Sequence, residues 1–437
     1  MQRLMMKQLV EWKENSNRKP LILKGVRQCG KTYIILEFAK LYYRDYIYFR
    51  FDKDHNIKVF FERDLDPHRI IRDLGLFRGK KITTDTLIIF DEIQDCGRAI
   101  TSLKYFYEDA SEYHVISAGS LLGVAIPKGT SFPVGKVDFL NLYPMSFQEF
   151  ILSKNELLAE ELEKSDPTDV IWINHRDSLE TMYKEYLIIG GMPEAVQTWN
   201  DTADIKQVEK IQESILVGYR QDIGKHAPAK DFPKISSIWD SIPSQLAKEN
   251  RKFIFSQVKK GLRARDLEDA LRWLIDAGLV YKVEHIEKPG YPLSSFANHT
   301  FFKLFMVDVG LLRKHADLPA RIMIEESDTY SEFKGAMAEN YVACELKKTY
   351  QTIMDKGLYY WAAEGSAKAE VDFVFQDDDS NIIPVEVKAG TSVRARSITE
   401  YRKRFNPEKS ILTSLKPMSQ RNLSLYGFWK LKDWLEL

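Results

Sequence analysis

Cysteine and net charge are both scarce in this sequence of 437 residues. The three cysteines, Cys29, Cys96 and Cys344, are an odd number spread over a long chain, which fits reduced thiols better than a disulfide framework. Lysine plus arginine and aspartate plus glutamate each total 63, so no overall field draws the protein to nucleic acid or to an anionic membrane. Binding of either kind would have to come from local patches.

Long apolar runs are also missing. No stretch approaches the ~18 apolar residues of a membrane span, and the first twenty residues lack the apolar core of a signal peptide. We therefore expect a cytoplasmic protein with no membrane partner. The hydrophobic fraction of 44% is ordinary for a globular protein, and the length suits roughly two to four domains.

A glycine-rich turn joins a short apolar run to a helical pattern near the start of the chain. Residues 21–32 read LILKGVRQCGKT, which matches G-x-x-x-x-G-K-[ST] at every fixed position. Successive N–H groups at the start of a helix can surround a polyphosphate, and glycine lets the backbone approach it closely. The pattern predicts that ATP is bound by Gly25, Val26, Arg27, Gln28, Cys29, Gly30, Lys31 and Thr32.

A second nucleotide signature, TLIIFDEIQD, follows at residues 86–95. Its apolar residues predict a central parallel strand with Asp91 and Glu92 at the carboxyl end, where ligands of open α/β sheets bind. Lys31 is expected to reach the β and γ phosphates, while Thr32 and Asp91 hold Mg²⁺ and Glu92 polarises the attacking water. This second motif weighs against the alternative that the glycine turn only caps a helix.

The rest of the predicted site is less determined by sequence. A third strand, YHVISAGSLL, ends in small polar residues, of which Ser120 is favoured over Ser117 as the γ-phosphate sensor, although a serine there also caps helices. An arginine finger could be Arg27, Arg98 or Arg220, and the sequence does not choose among them. The segments DYIYFRFDKD and VDFLNLYPM supply two further strands, which complete a predicted five-stranded doubly wound sheet.

The middle of the chain is predicted to be helical and then to form a helix pair with a strand pair. The helix SLETMYKEYLII stops at a GGMP turn, because glycine accepts a left-handed cap and proline cannot continue a helix. Farther on, ISSIWDSIPSQLA and RARDLEDALRWLIDAG read as helices, the second closed by Gly278, while LVYKVEHI and FKLFMVDVG read as a strand pair. Helices followed by a strand pair suggest a winged helix.

Positive charge lies on and before the helix that would occupy the recognition position. The residues are Lys259, Lys260, Arg263, Arg265 and Arg272. The same helix carries three acidic residues and the chain has no net charge, which weighs against DNA. Winged helices also serve as protein–protein modules, so both kinds of partner stay open.

A carboxylate interrupts the apolar stripe of a helix near the carboxy terminus. In SEFKGAMAENYVACELKKTY, Glu339 shares one face with Ala336, Ala343 and Leu346, so it needs a partner or a metal. Two strands follow as AEVDFVF and PVEVKAG, which we predict to form a hairpin. Strand alternation predicts Val371, Phe373, Phe375, Val385 and Val387 on core faces, and Glu370, Asp372, Val374, Glu386 and Lys388 on the opposite faces.

These side chains can converge on one site. Carboxylates around a hard cation with a lysine beside them suit magnesium-assisted phosphodiester cleavage, which predicts a metal held by Glu339, Asp372 and Glu386 with Lys388 stabilising charge. The alternative is a charged hairpin edge that only prevents aggregation. A following basic stretch could hold a nucleic-acid backbone or be a solvated helix, and it contains Arg394, Arg396, Arg402, Lys403 and Arg404.

The sequence resembles the prokaryotic AAA-type ATPases whose carboxy-terminal domain of unknown function looks like a PD-(D/E)XK nuclease. The resemblance rests on segments that occur in the order of that family: GVRQCGKT, TLIIFDEIQD, ISAGSLL, LYPMSFQEF, YLIIGGMP, KLFMVDVGLL and EVDFVF with PVEVKAG. The resemblance covers nearly the whole chain. It implies ATP binding through the glycine-rich loop, magnesium and hydrolysis through Asp91 and Glu92, and a nuclease-like site at Glu339, Asp372, Glu386 and Lys388.

The expected architecture is therefore α/β with four parts. They are a parallel-sheet P-loop ATPase core over residues 1–150, a helical appendage over 151–230, a winged-helix-like domain over 231–325 and a PD-(D/E)XK nuclease-like domain over 326–437. The leading hypothesis is a magnesium-dependent ATPase that couples its nucleotide state to the nuclease-like domain. The alternatives are an ATP-gated nuclease acting on DNA or RNA and an ATP-dependent switch that docks a protein partner. Oligomeric state stays open.

Overall fold

The computed structural model describes residues 1–120, 123–124, 131–248, 252–258, 263–325, 331–350, 357–363, 369–391 and 395–437. The chain divides into two compact units, the first of Met1–Tyr143 with Asp276–Gly278, the second of Pro144–Ile275 with Leu279–Leu437. Each unit is built around its own sheet. None of the helices in these ranges is both long and apolar enough to cross a membrane.

The amino-terminal unit is a parallel α/β structure. Its helices are α1 (Met5–Glu14), α2 (Lys31–Tyr42), α3 (Pro67–Arg78) and α4 (Gly97–Asp109). Its strands are β1 (Leu21–Lys24), β2 (Asp45–Arg50), β3 (Thr86–Asp91), β4 (His114–Gly119) and β5 (Asp138–Asn141). The five strands lie in the order β2-β3-β4-β1-β5, and every neighbouring pair is parallel. This confirms the five-stranded parallel sheet predicted from the sequence.

Strand β3 lies between β2 and β4 and is buried along its whole length. Such burial explains the uninterrupted apolar run of its sequence, because parallel strands are covered on both faces. Phe90 packs against aromatic rings from three other segments of the unit, Phe49, Phe61 and Phe106, at centroid distances of 6.2, 5.8 and 6.2 Å. The core therefore fixes the strand whose carboxyl end carries Asp91.

The second unit holds the remaining helices and a mixed sheet. Helices α5 to α11 are Phe147–Lys154, Glu156–Lys164, Ile171–Asn174, Arg176–Ile189, Pro193–Thr202, Ile205–His226 and Phe232–Leu246. Helices α12 to α18 are Phe255–Val258, Ala264–Asp276, Val309–His315, Ala320–Ile324, Ser331–Thr349, Arg396–Phe405 and Leu431–Leu435. Strands β6 to β12 are Val280–Ile286, Ala297–Met306, Leu358–Ala362, Glu370–Gln376, Ile382–Val387, Ile411–Ser414 and Leu423–Ser424.

One sheet runs through most of the second unit in the order β12-β11-β10-β9-β8-β6-β7. Strands β6 and β7 pair antiparallel, as the sequence predicted, but β6 also pairs in parallel with β8. The predicted strand pair of the winged helix is thus continuous with the strands predicted to be nuclease-like. The domain boundary near residue 325 stays a prediction, and the sheet crosses it.

Strands β9 and β10 form the predicted antiparallel hairpin, in which Phe373 pairs with Val385. The predicted alternation along β9 is wrong at one point. A register shift against β8 places Tyr359 opposite Val374 and Trp361 opposite Val371, so both valines pack in the same apolar cluster. The bulge adds one residue between them, which reverses the side-chain parity.

Helix α16 holds the second unit together through buried polar contacts. Its Asn340 accepts from the Met306 N–H at 2.7 Å and donates to the Met306 carbonyl at 3.0 Å, and so caps the end of β7 as a neighbouring strand would. Its Lys348 ammonium donates to the Met145 carbonyl at 3.1 Å and to the Tyr186 hydroxyl at 3.2 Å. Helix α8, one of the helices predicted as an appendage, is therefore bonded directly to α16.

Candidate functional site

The glycine-rich loop joins β1 to α2 and turns through two residues with positive φ, Gln28 at 65° and Gly30 at 95°. Gly30 is the residue that precedes α2, so the loop delivers backbone N–H groups to the helix start. Lys31 is buried and its ammonium donates to the carbonyls of Gly25 and Val26, both at 2.9 Å. The lysine is thus folded across the loop that contains it.

Gly25 is a position where the fold leaves no space for a side chain. A Cβ built on it would lie 2.3 Å from the carbonyl oxygen of Leu142 and 2.9 Å from the sulfur of Cys29. The Leu142 N–H in turn donates to the Lys24 carbonyl at 2.7 Å, so that neighbouring backbone is fixed by β1. The first glycine of the motif is required by packing.

Arg3 contacts the loop from outside the motif. Its guanidinium donates to the carbonyl of Cys29 at 2.9 Å and to the carbonyl of Tyr143 at 2.7 Å. Cys29 itself is fully buried, and its thiol lies 3.4 Å from the Leu142 carbonyl. Sequence reasoning missed Arg3, because no motif marks an arginine that supports a loop through backbone oxygens.

Thr32 and Asp91 meet at the carboxyl end of the sheet, as predicted. The Thr32 hydroxyl donates to Asp91 Oδ2 at 2.8 Å, and the same oxygen accepts from the Tyr48 hydroxyl at 2.7 Å. Burial and, second, this hydrogen bond raise the pKa of the Tyr48 phenol, so it stays a donor. Tyr48 comes from β2, and its alternating position in DYIYFR was the only signal that it faces the site.

Glu92 follows Asp91 in a left-handed conformation with φ of 50°. Its Oε2 accepts from the Gln94 amide at 2.6 Å and from the Ser120 hydroxyl at 3.4 Å. Ser117, the competitor for the sensor role, is fully buried, and in the described part of the chain its hydroxyl has no hydrogen-bond partner. Ser120 is therefore the serine that lies beside the acidic pair.

The three candidate arginine fingers have different surroundings. Arg27 is exposed on the glycine-rich loop. The Arg98 guanidinium donates to the Phe61 carbonyl. Arg220 belongs to the second unit and pairs there with Asp240 at 2.8 Å. The choice among them stays open.

In the second unit, the predicted helical carboxylate Glu339 and the predicted strand carboxylate Asp372 meet around a lysine. The ammonium of Lys303 lies 3.4 Å from Glu339 Oε2, 4.0 Å from Asp372 Oδ1 and 2.7 Å from Glu370 Oε1. Lys303 and Glu339 are both almost fully buried. The lysine comes from β7, where it interrupts the apolar run FFKLFMV just as Glu339 interrupts its helix.

The other two predicted residues form a separate pair, Glu386 within β10 and Lys388 directly after it. The ammonium of Lys388 lies 2.7 Å from Glu386 Oε1, while Glu386 Oε2 accepts from the Ile398 N–H at 2.9 Å at the start of α17. Asp372 Oδ2 accepts from the backbone N–H of Val387 at 2.7 Å, which places it next to this pair. The four predicted residues are thus neighbours, and Asp372 Oδ2 and both oxygens of Glu386 are bonded to protein donors.

The predicted basic stretches are partly bonded within the chain. On α17, Arg402 donates to the Ser410 hydroxyl at 2.7 Å, and Arg404 donates to Glu400 at 2.7 Å while it lies 5.5 Å from the Trp361 ring centroid. Lys259, Lys260 and Arg394 lie outside the described residues.

Three protein families match successive parts of the chain. Residues 17–151 match the family described as AAA domain, residues 180–321 match a domain of unknown function (DUF8612), and residues 334–425 match another (DUF4143). The first match covers the parallel sheet, the glycine-rich loop and the acidic pair. The amino-terminal unit thus combines a match to the AAA domain family with a parallel sheet and a glycine-rich loop of the P-loop type.

The similarity to other proteins extends beyond the amino-terminal unit. The chain is 21% identical over 403 residues to uncharacterized protein MJ1544 of Methanocaldococcus jannaschii, with 90% of this chain and 80% of that protein covered. The walker-type ATPase PABY2304 of Pyrococcus abyssi superposes with a TM-score of 0.42 at 14% identity, over 71% of this chain and 94% of that one. AMPPCP-bound DnaA of Aquifex aeolicus superposes with a TM-score of 0.30 at 14% identity, over 63% of this chain and 88% of that one.

Proposed function

We propose that this protein binds ATP and hydrolyses it with the help of Mg²⁺. The observation that carries the proposal is the meeting of the Lys31 loop with the Thr32–Asp91 pair at the carboxyl end of β3. The Lys31 ammonium now donates to two neutral carbonyls. Phosphate oxygens are stronger acceptors for a charged donor, so ATP can draw the lysine from the loop to the β and γ phosphates.

The donor set around Asp91 fits a magnesium ion. Thr32 Oγ1 and Asp91 Oδ2 are 2.8 Å apart, and hydroxyl and carboxylate oxygens are ligands that Mg²⁺ prefers. When bound, the ion neutralises charge on the β and γ phosphate oxygens. Thr32 would hold it directly and Asp91 through water, while Tyr48 keeps Asp91 oriented by its hydrogen bond.

Glu92 is the group we propose as the base that orients and activates the attacking water. Its carboxylate is held by Gln94 and lies beside Ser120, so a γ-phosphate at this point could be sensed through the serine hydroxyl. A general base needs a fixed direction as well as a carboxylate. Gln94 provides that direction, because its amide donates to one oxygen of Glu92.

We also propose a role for the second unit. We place the AAA-type unit as a nucleotide-dependent switch and the second unit as the part that contacts a partner, through the winged-helix-like segment around α13 or the nuclease-like sheet. Nucleic acid and protein are both candidate partners, since α13 carries Arg265 and Arg272 but also acidic residues.

The test is ATP binding by Lys31→Ala, measured by fluorescence titration with a labelled ATP analogue. Loss of charge-assisted hydrogen bonds to phosphate, each about 1.5–3 kcal/mol, should weaken binding by about a hundredfold or more. Lys40→Ala is the matched control, because Lys40 lies on the same helix and is exposed with Glu37 as its partner. Equal affinity in the two variants would refute the proposed role of the loop.

A further inference from the structure

The carboxylate site of the second unit already contains a cation. The Lys303 side chain is 1% exposed, and its ammonium lies within 4.0 Å of oxygens from Glu339, Glu370 and Asp372. The ring of Tyr360 covers it from another side, with its centroid 5.1 Å from Nζ. An aromatic face also attracts a cation, so all the contacts converge on the ammonium group.

A buried ammonium needs partners, and a cluster of carboxylates needs a cation. Lys303 meets both needs at once. It donates to Glu370 at 2.7 Å, the shortest of the three contacts, and it balances the deeply buried Glu339. Lys303 therefore supplies this cluster with a positive charge from within the chain.

The two strand carboxylates predicted to hold a metal, Asp372 and Glu386, also contact protein groups. Asp372 Oδ2 accepts from the Val387 N–H, and its Oδ1 faces Lys303. Both oxygens of Glu386 are bonded, one to Lys388 and the other to the Ile398 N–H. The donor set that the sequence predicted for a divalent cation does not fit one in this arrangement.

Charge repulsion leads to the same conclusion. A Mg²⁺ at its usual distance of ~2.1 Å from Glu339 Oε2 could lie no farther than about 5.5 Å from the ammonium, given the 3.4 Å between that oxygen and Nζ. Like charges this close in a buried site repel strongly. The ammonium of Lys303 therefore opposes the binding of a divalent ion at Glu339 Oε2.

We infer that the ammonium of Lys303 is the resident cation of the nuclease-like site, where it lies among the carboxylates of Glu339, Glu370 and Asp372. The site is thereby closed to metal-dependent cleavage. This inference is independent of ATP hydrolysis by the amino-terminal unit. It assigns to Lys303 a positioning role that no sequence motif indicated.

The test measures Mn²⁺ binding to the full chain without nucleotide, by electron paramagnetic resonance of the free ion. All proteins carry Asp91→Asn, so that the proposed magnesium site of the amino-terminal unit contributes nothing and a failed ATPase hypothesis leaves the result unchanged. With Lys303 present, no Mn²⁺ should bind in a way that depends on Glu339. Lys303→Met, which keeps the length and loses the charge, should gain one bound Mn²⁺.

Two further variants show whether the charge of Lys303, and not the shape of its side chain, keeps Mn²⁺ out. Lys303→Arg should bind no Mn²⁺, and adding Glu339→Gln to Lys303→Met should remove the gained ion. The inference is overturned if the protein with Lys303 binds Mn²⁺ and loses it on Glu339→Gln, or if a folded Lys303→Met binds none. The first of these outcomes can be read without Lys303→Met, so the inference stays testable if that variant does not fold.

Cleavage provides a second readout. The otherwise unchanged full chain, incubated with DNA and RNA in Mg²⁺ or Mn²⁺, should give no product that disappears with Glu386→Ala. Cleavage that requires Glu386 would show a working metal site and overturn the inference. Cleavage that survives Glu386→Ala comes from elsewhere and leaves the expected result in place.

Discussion

Arg3 supports the phosphate loop from outside the motif. It is buried and donates to the carbonyls of Cys29 and Tyr143, which belong to the loop and to the segment after β5. Hydrogen bonds from a charged donor contribute about 1.5–3 kcal/mol each, and a buried carbonyl that loses its donor is costly. A single side chain near the amino terminus therefore fixes the backbone of the glycine-rich loop.

We predict that Arg3→Ala lowers the free energy of unfolding of the amino-terminal unit by about 2–4 kcal/mol, because two buried carbonyls lose a charged donor. It should also weaken ATP binding, since the loop is less well positioned. Urea denaturation and nucleotide titration measure the two effects. Arg44→Ala, at an exposed position, is the control and should change stability by no more than about 0.5 kcal/mol. Equal stability of the two variants would contradict the proposed support.

At the scale of single residues, sequence reasoning identified groups that break a pattern or complete a motif. Lys31 and Thr32 were predicted from the fixed spacing of the glycine-rich motif, Asp91 from its place at the end of an apolar strand. Glu339 was predicted because it interrupts an apolar stripe. Lys303 likewise interrupts an apolar run, that of β7, but it was not predicted to belong to the site. Tyr48 acts through Asp91, and its role depends on the pairing of β2 with β3, which no local pattern specifies.

At the scale of elements, the packing of α1 and α2 against β4 makes stability depend on pH. His114 opens β4, its Nδ1 lies 2.5 Å from the Tyr43 hydroxyl, and its ring packs edge-on against Trp12. Burial, followed by the charges of Arg18 and Lys13, lowers the pKa of His114 to about 4. The neutral imidazole is therefore the form that the folded unit accepts.

The different proton affinities of His114 in the folded and unfolded chain determine how stability changes with pH. The unfolded chain, in which the histidine pKa is about 6.5, binds a proton more readily than the folded one, so stability falls as the pH drops from about 6.5 to about 4. After a discount for partial exposure, the loss should be about 1–2 kcal/mol. Denaturation at several pH values should show a shallower slope in His114→Gln. His55→Gln, at an exposed position, should keep the slope of the unaltered protein, and a shallower slope there would contradict this account.

Strand prediction succeeded where periodicity is local and failed where pairing is distant. The hairpin of β9 and β10 followed from two alternating runs joined by a polar turn. The bulge opposite β8 was not visible, because an extra residue in one strand has meaning only against its partner. The parallel pairing of β6 with β8 was missed for the same reason, since the two strands are separated by β7 and α16.

At the scale of the whole molecule, the sheet of the second unit crosses the boundary that the sequence suggested. Strand β6 lies between β7 and β8, so a cut near residue 325 separates strands that pair. Neither side of that cut retains the complete sheet. Strands left without a partner expose unpaired N–H and C=O groups.

We therefore predict that residues 231–325 do not fold alone, although their pattern suggested a winged-helix domain. Far-UV circular dichroism with urea denaturation should show no cooperative transition for this fragment. Residues 144–437 carry the whole sheet and should unfold cooperatively under the same conditions. A cooperative transition in residues 231–325 would mean that the winged-helix-like segment is an independent domain.

The most direct measurement of the central proposal is phosphate release from ATP by the full chain and by Glu92→Gln, with ATP affinity measured alongside. The protein should release phosphate only with Mg²⁺. Glu92→Gln should lower kcat by about 10²–10⁴-fold and leave ATP affinity within a fewfold, because it removes the base and keeps the loop. Glu37→Gln, on the outer part of α2, is the matched control and should keep full turnover. Unchanged turnover in Glu92→Gln, or release without Mg²⁺, would contradict the account.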